Sequence, residues 1–345
     1  KHGVAVDDVI SPEHIVSNYM EKLIDLPGSL QVLDFAEGGA QLVAVKAFYG
    51  GPLVGHEIRL LREHMPNIDT RVAAIFRKDR PIMPEGTTVI EADDEVFFVA
   101  AKEHIRSCIG ELRKLDNPYK KLIIAGGGNI GLRLAESIEE RYQVKIIEHS
   151  EERCTYLSEN LNSAIVLNGE ASSQELLLEE NIEDTDVFLA LTNDDEANIM
   201  SSLLAKKLGA KKVMAIINNP AYVDLVQGGQ IDIAISPQQA TIGSLLTHVR
   251  RGDVVKVHSL RRGAAEAMEA IAHGDSSSSK VVGKTIDEIE LPEGAKIGAI
   301  VRNNEVLIAH DDTVVETDDH VILFLVDRKM IPQVERLFQV GFSFF

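Results

Sequence analysis

Three short stretches of this chain recur at one constant offset, the one that takes Ser11 to Ser236. The matched pairs are Ile10–Ile15 with Ile235–Ala240, Ala74–Arg77 with Ala299–Arg302, and Glu91–Asp94 with Glu316–Asp319. Coincidental matches are the alternative, but they have no reason to share one offset, so a tandem repeat is predicted. The glycine-rich stretch at Gly126 has no earlier partner at this offset, because that position falls before Lys1. We therefore expect about 100 further residues, holding a first nucleotide-binding domain, ahead of this sequence.

The charge and composition argue against several classes of function. A formal net charge of -19 repels both nucleic-acid phosphates and an anionic membrane surface. No apolar run reaches the ~18 residues that a membrane-spanning helix needs. Cys108 and Cys154, the 2 cysteines, are expected to be reduced thiols. The 11 histidines form no metal-binding motif, so no metal site is expected.

Short apolar strands alternate with helical segments between residues 119 and 236. Strands are expected at Lys121–Ala125, Val144–Glu148, Ala164–Leu167, Val187–Leu191 and Val213–Ile217. Helices are expected from Ile130 to Tyr142 and around Asn198 to Leu208. This alternation predicts an α/β fold with a doubly wound parallel sheet of the Rossmann type.

The stretch Gly126–Gly131 satisfies the pattern G-x-G-x-x-G directly after the first strand, where it opens a helix. In this pattern Gly126 permits a tight turn, Gly128 lets the backbone approach a pyrophosphate, and Gly131 lets the helix pack on the sheet. The free amides and partial positive charge of the helix N-terminus attract phosphates. The alternative is a glycine turn that binds no ligand.

Glu148 ends the second strand, at the spacing of about 20 residues from the glycine motif that is typical of a ribose-binding acid. A carboxylate there accepts hydrogen bonds from both ribose hydroxyls and repels a 2′-phosphate. We therefore expect NAD(H), or another adenosine nucleotide with a free ribose, in preference to NADP(H). The alternative is an ordinary solvated acid at a strand end.

Two further loops follow strands at the same edge of the sheet. The loop Asn168–Ser172 follows the third strand, where an adenine ring would rest, with Gly169 and Glu170 as its candidate binding residues. An ordinary turn and helix cap explains it equally well. The loop Thr192–Glu196 follows the fourth strand, so its hydroxyl and amide side chains are placed to reach phosphate or ribose. Its three acids repel phosphates unless a cation intervenes, and N-capping by Thr192 or Asn193 is the alternative.

The sequence offers no groups that would do chemistry on such a ligand. Hydride transfer needs a proton donor with a supporting acid, and no Tyr-x-x-x-Lys pair follows the fourth strand. His248 and His258 have no obvious acid partner, and no nucleophile elbow or Walker loop is present. We expect a binding protein that is not an enzyme, with an NAD-dependent oxidoreductase as the alternative. The basic pairs Arg250–Arg251 and Arg261–Arg262 are either solvated or contact a partner or anion.

Each repeat also contains a smaller α+β unit. Buried strands are expected at Val96–Ala100 and Val321–Leu325, each after an acidic turn and before a helix. Ser236–Gln239 carries helix-start signals, so a helix is expected from there to about Arg251, equivalent to one from Pro12 to about Ile24. These helices lead from the nucleotide domains into the smaller ones.

The chain resembles the regulator-of-potassium-conductance family (RCK, or KTN) over essentially all 345 residues. The residues that carry the resemblance are Gly126–Gly131, Leu191–Met200, Ile231–Ile242, His64–Pro66 and Asp69–Ile75. It implies a Rossmann lobe followed by a C-terminal lobe, twice over. The expected domains are 1–28, the tail and crossover helix of an absent first Rossmann lobe; 29–115, the first C-terminal lobe; 119–236, the second Rossmann lobe; 237–254, its crossover helix; and 255–342, the second C-terminal lobe.

The resemblance also implies a function. It indicates a peripheral regulatory subunit on the cytoplasmic face of the inner membrane, attached to a Trk-type potassium transporter and assembled as a homo-oligomer, either a dimer or a tetrameric ring. NAD(H), and also ATP or ADP, are the implied ligands, without nucleic acid or membrane insertion. Carried over by position, the phosphates contact Gly126, Gly127, Gly128, Asn129 and Ile130, the ribose contacts Glu148, and Thr192 and Asn193 lie near the ligand. The loop from Thr192 is the expected sensor of the ligand, and the helix from Ser236 the expected transmitter.

Overall fold

The computed structural model describes residues 11–78, 80–226, 229–241, 254–260 and 264–340. His248, both basic pairs and most of the helix expected from Ser236 lie outside these ranges. The chain divides into two compact units, one formed by Lys1–Pro27 with Asn117–Ile242 and the other by Gly28–Asp116 with Gly243–Phe345. Within the described ranges, no helix has both the length and the apolar character needed to span a membrane.

The described elements are sixteen strands and nine α-helices. The strands are β1 Ser29–Phe35, β2 Ala40–Lys46, β3 Thr70–Arg77, β4 Arg80–Ile82, β5 Glu95–Ala101, β6 Lys121–Ala125, β7 Gln143–Glu148, β8 Ile165–Asn168, β9 Val187–Ala190, β10 Lys212–Ile216, β11 Ile233–Ile235, β12 Val254–Leu260, β13 Ala265–Ile271, β14 Ala295–Arg302, β15 Glu305–Ile308 and β16 His320–Leu325. The helices are α1 Pro12–Asp25, α2 Leu61–His64, α3 Ile105–Leu112, α4 Asn129–Ile138, α5 Glu151–Asn160, α6 Gln174–Glu179, α7 Asp195–Lys207, α8 Pro220–Val226 and α9 Ile331–Phe338.

The first unit is built on a parallel sheet with the strand order β11-β10-β9-β6-β7-β8. Its central strands are apolar runs buried on both faces, as helices on both sides of a parallel sheet require. The predicted doubly wound sheet is therefore confirmed. The strand order reverses between β6 and β9, and at such a switch point the carboxyl ends of the strands leave a crevice for a ligand.

Helix α1 packs against α4 within this first unit. It starts as its sequence predicts, because Ser11 accepts a hydrogen bond from the His14 amide at 3.3 Å and proline occupies the first turn. One apolar face of α1 is buried, and its last turn is fixed by Arg141, which donates to Glu21 and Asp25. Residues far from the Rossmann segment in sequence thus complete its helical layer.

The second unit contains two five-stranded antiparallel sheets with matching strand orders, β1-β2-β5-β3-β4 and β12-β13-β16-β14-β15. Even their irregularities coincide. A β-bulge between Ser29 and Gln31 recurs between Val254 and Lys256, and another at 72–74 recurs at 297–299. Bulges re-aim a strand locally, so their repetition shows that both lobes bend their sheets in the same places. The tandem repeat is confirmed, and each copy is an α+β lobe.

The two lobes contact each other through equivalent residues. The Gln31 side chain donates to the Ser259 carbonyl at 2.9 Å, and the Lys256 ammonium donates to the Asp34 carbonyl at 3.4 Å. In the tandem repeat Lys256 occupies the position equivalent to Gln31, and Ser259 the position equivalent to Asp34. The lobes therefore pair through a pseudo-two-fold, isologous interface inside one chain.

Candidate functional site

The carboxyl ends of β6, β7, β8 and β9 meet at one edge of the first unit. The Gly126 amide donates to the Ile147 carbonyl at 2.9 Å, which joins the glycine loop to the end of β7. The Gly169 amide donates to the Glu148 carbonyl at 3.0 Å, which joins β8 to the same place. The structure thus brings the glycine loop, Glu148, Gly169 and the loop after β9 together.

The glycine loop makes the sharp turn that its sequence predicts. Gly126 has a φ of +106°, a conformation that residues with side chains rarely adopt, and a Cβ there would lie 2.9 Å from the Thr192 amide nitrogen. At Gly131 a Cβ would lie only 2.1 Å from the Gly126 carbonyl oxygen. The end of β9 therefore leaves no room for a side chain at Gly126, and the glycine loop itself leaves none at Gly131.

Helix α4 begins at Gly128 without a capping side chain. Helices α5, α6 and α7 each begin with a side-chain oxygen that accepts an amide hydrogen bond, supplied by Ser150, Ser173 and Asp194. Gly128 and Asn129 are exposed and Ile130 is half-buried, and a Cβ on Gly128 would meet no atom within 4 Å. The first turn of α4 thus has no capping side chain, and the space beside Gly128 is open.

Glu148 is buried, with 7% of its surface exposed, so the alternative of a solvated acid is wrong. One carboxylate oxygen accepts from the Gly127 amide at 2.8 Å, and the other accepts from the Ser150 amide at 3.0 Å and pairs with His149. A carboxylate offers about four lone-pair positions, so acceptor capacity remains for one ribose hydroxyl. Glu148 also has a structural task that the sequence did not reveal, because it ties the glycine loop to α5.

The loop after β8 is a turn fixed by its own hydrogen bonds. The Asn168 side chain donates to the Glu148 carbonyl at 3.2 Å, and Ser173 caps α6. The Gly169 amide is occupied by Glu148, and Glu170 is exposed, with its carbonyl accepting from the Ser173 amide at 2.9 Å. A turn and a cap therefore account for the shape of this loop, and ligand contacts by Gly169 and Glu170 stay a prediction.

The loop after β9 is held by Asn198, which is fully buried. Its side-chain oxygen accepts from the Thr192 amide at 3.0 Å and from the Thr192 hydroxyl at 2.7 Å, and its amide donates to the carbonyls of Thr192 and Ile216. Helix α7 begins at Asp195, earlier than expected, and its cap is Asp194, not Thr192 or Asn193 as proposed above. A ligand contact by Thr192 stays a prediction, as does one by Asn193, which is exposed.

The three acids of this loop each have a partner within the protein. Asp194 caps α7, and the buried Asp195 accepts from the amides of Asn218 and Asn219, both at 2.8 Å. Glu196 accepts from the Tyr222 hydroxyl at 3.0 Å, and that carboxylate raises the pKa of Tyr222. These partners explain the acidic run without a cation, and the described residues contain no group of three or more potential metal ligands.

Two residues of this site, Asn198 and Arg153, were not predicted from the sequence. Asn198 and Arg153 hold the loops after β9 and β6, and Arg153 donates to the Gly127 carbonyl at 2.6 Å. The sequence signal for each is a polar residue in the first turn of a helix, α7 directly after β9 for Asn198 and α5 after β7 for Arg153. His258 lies on β12 in the second unit, where its ring packs edge-on against Phe35 at 5.3 Å.

Cys108 and Cys154 are free thiols.

Comparison with known families identifies both parts of the chain. The TrkA-N domain model matches residues 122–237, and the TrkA-C domain model matches residues 42–109 and 276–339. The chain is 67% identical over 343 residues to the Trk system potassium uptake protein TrkA of Halomonas elongata, covering 99% of this chain and 75% of that protein. It is 64% identical to the protein of the same name from Vibrio alginolyticus, covering 98% and 74%. Identity is 33% to homolog 1 from Methanosarcina mazei, covering 97% and 74%.

Solved structures agree on the fold. The chain matches the structure described as the GsuK channel with a TM-score of 0.52 and 17% identity, over 94% of this chain and 57% of that one. It matches the GsuK RCK domain with a TM-score of 0.50 and 16% identity, over 95% and 70%. At these identities the likeness shows the fold alone, and that fold is the RCK architecture.

Proposed function

The chain belongs to the TrkA family of Trk-system potassium uptake proteins, and from that premise we propose that it is a regulatory subunit without catalytic activity, one that binds NAD(H), ADP or ATP and thereby controls potassium flux through a membrane transporter. The ligand lies at the carboxyl edge of the Rossmann sheet. The transporter subunit is its partner, and the protein acts as a homo-oligomer on the cytoplasmic face of the membrane.

The observation that carries this proposal is the uncapped start of α4 at Gly128. Helices α5, α6 and α7 satisfy their first turns with a side chain, and α4 does not. Its unsatisfied amides and the positive end of the helix dipole provide a place for a pyrophosphate or a terminal phosphate. Glu148, one hydrogen bond away through the Gly127 amide, is positioned for the ribose.

Regulation requires a difference in affinity between two shapes of the protein. A ligand shifts an equilibrium only by the ratio of its affinities for the two states. The edge that the phosphates would contact lies between the starts of α4 and α5 and the end of β9, so a bound ligand adds a restraint between these elements. We expect the regulatory signal to leave this unit through those elements.

Direct binding measurements test the ligand part of the proposal. The chain has no Trp, so NADH fluorescence can be followed without interference from the protein. NADH, ADP and ATP are expected to bind, and NADPH to bind more weakly than NADH, because its 2′-phosphate meets the Glu148 carboxylate. NADPH binding as tight as NADH would contradict the role given to Glu148. NADH should be recovered unchanged, whereas its oxidation in the presence of small carbonyl compounds would favour an oxidoreductase.

Potassium uptake tests the regulatory part. The natural gene product would be purified with its membrane transporter partner and assayed in vesicles with and without each nucleotide. Nucleotide-dependent uptake that is lost in a Gly128→Ala variant supports the proposal. If that variant no longer binds nucleotide but uptake responds to nucleotide as before, this site is not the sensor.

A further inference from the structure

Both polar groups of Gly127 are fixed by charged side chains from neighbouring elements. Its amide donates to Glu148 Oε2 at 2.8 Å, and its carbonyl accepts from Arg153 Nε at 2.6 Å. Glu148 ends β7 and Arg153 lies in the first turn of α5. Two oppositely charged residues of the next strand and helix therefore hold the middle of the glycine loop between them.

Because the peptide bond is planar, the restraint on the Gly127 carbonyl also sets the direction of the Gly128 amide. In a planar trans peptide the C=O of one residue and the N–H of the next point in opposite directions. Because Arg153 holds the Gly127 carbonyl, the Gly128 N–H must point away from Arg153. Gly128 is exposed, a Cβ there would meet no atom within 4 Å, and no side chain caps α4, so this amide is available to a ligand at the start of the helix.

The guanidinium of Arg153 is only partly satisfied by the protein. Its Nη2 atom is buried and has no hydrogen-bond partner, while the group packs over the Tyr156 ring at 4.6 Å. Burying a charged donor without an acceptor costs free energy. Two interactions of this guanidinium use its positive charge, the contact with the Tyr156 ring and the hydrogen bond to the Gly127 carbonyl, and the second acts on the glycine loop.

We propose that Arg153 is a positioning residue of the nucleotide site, which orients the Gly127–Gly128 peptide so that the Gly128 amide faces the ligand phosphate. The proposal rests on the nucleotide-binding function proposed above. It predicts that Arg153 matters for ligands that carry a phosphate and not for the nucleoside alone.

The test compares ADP, NADH and adenosine on the intact chain by calorimetric titration. Arg153→Gln is expected to weaken ADP and NADH about tenfold or more, the effect of losing a hydrogen bond to a charged group, and to leave adenosine within about twofold. Arg153→Lys should recover part of the ADP affinity, because an ammonium can still donate to the Gly127 carbonyl. Arg133→Gln removes the same charge from an exposed position on α4 and is expected to change neither ligand.

Each outcome decides the question. Equal ADP affinity in Arg153→Gln and the unaltered chain would overturn the inference. An equal loss for ADP and adenosine would also overturn it, because it would show that the substitution disturbs the whole site. Failure of the unaltered chain to bind ADP or NADH would overturn the proposed function as well, and that failure is visible before any variant is made.

Discussion

Arg302 repeats the hydrogen bonds of Arg77 partner for partner, at the equivalent position of the second lobe. In the second lobe, Nε and Nη2 of Arg302 donate to the two carboxylate oxygens of the buried Asp319 at 2.8 and 2.7 Å. In the first lobe, the same atoms of Arg77 donate to Asp94, both at 2.8 Å. Each arginine also donates to a backbone carbonyl and to a glutamate at the start of the acidic turn. The acidic turns predicted from the sequence, Glu91–Asp94 and Glu316–Asp319, thus each bind an arginine at a corner of their sheet.

Replacing either arginine by alanine is expected to destabilise its lobe strongly. Arg302→Ala would leave the Asp319 carboxylate, which is 0% exposed, without its cation, and breaking a buried pair in this way costs about 3–5 kcal/mol. Urea unfolding followed by circular dichroism would measure the loss. Because the networks match, Arg77→Ala should cost a similar amount. Arg106→Ala is the control, because ordinary surface substitutions change the free energy of unfolding by about 0.5 kcal/mol or less. A loss that small in both Arg77→Ala and Arg302→Ala would show that these corners contribute little stability.

Gly128→Ala is expected to weaken nucleotide binding while leaving the stability of the fold nearly unchanged. A Cβ there meets no atom of the protein within 4 Å, so the free energy of unfolding should change by about 1 kcal/mol or less. The same methyl group occupies the space that a phosphate would take, so ADP affinity should fall about tenfold or more. Gly86→Ala, at another exposed glycine whose Cβ would touch only an arginine side chain at 3.7 Å, is the matched control. Unchanged ADP affinity in Gly128→Ala would place the ligand elsewhere.

The sequence predicted the backbone of this site better than its side-chain contacts. The order of strand, glycine turn and helix follows from the spacing of apolar residues and from the few residue types that tolerate a positive φ. Both signals are local in the sequence, so the sheet and the turn at Gly126 were predictable. The buried Asn198 and the partners of Arg153 depend on loops that meet only after folding. Asp194 caps α7 because the helix begins at Asp195, whereas the Thr192 hydroxyl lies outside the capping position and donates to Asn198.

Glu139 is expected to contribute acid-sensitive stability to the Rossmann unit. Burial opposes its charged form, but hydrogen bonds from the amides of Ser163, Ala164 and Asn162 outweigh burial and lower the pKa of this carboxyl below its ordinary value of 4.5. A lowered pKa stabilises the folded state fully above 4.5, and this stabilisation is lost as the pH falls below 4.5 through the folded-state pKa. Glu139→Gln should therefore cost more stability at pH 7 than at acidic pH. A cost independent of pH would contradict this assignment.

The two cysteines should differ sharply in reactivity. Burial raises the pKa of the Cys108 thiol to about 11, so at pH 8 it is expected to resist iodoacetamide until the protein unfolds. Cys154 is half-buried, 3.3 Å from the Glu148 carbonyl, beside the proposed ribose position. Alkylation of Cys154, located by peptide mass spectrometry, should be faster than that of Cys108 and should slow when NADH is present. Equal rates with and without saturating NADH would argue against a ligand beside Glu148.

The packing of α1 on α4 has a practical consequence for anyone who wants the Rossmann unit by itself. A fragment that begins at Asn117 would contain every strand of the parallel sheet but would leave the face of α4 that α1 covers in water. It would also leave Arg141 without Glu21 and Asp25. Such a fragment should be prone to aggregation, whereas supplying residues 11–27 as a separate peptide or by circular permutation should restore it. In this protein the Rossmann unit that folds cooperatively is therefore not one contiguous stretch of chain.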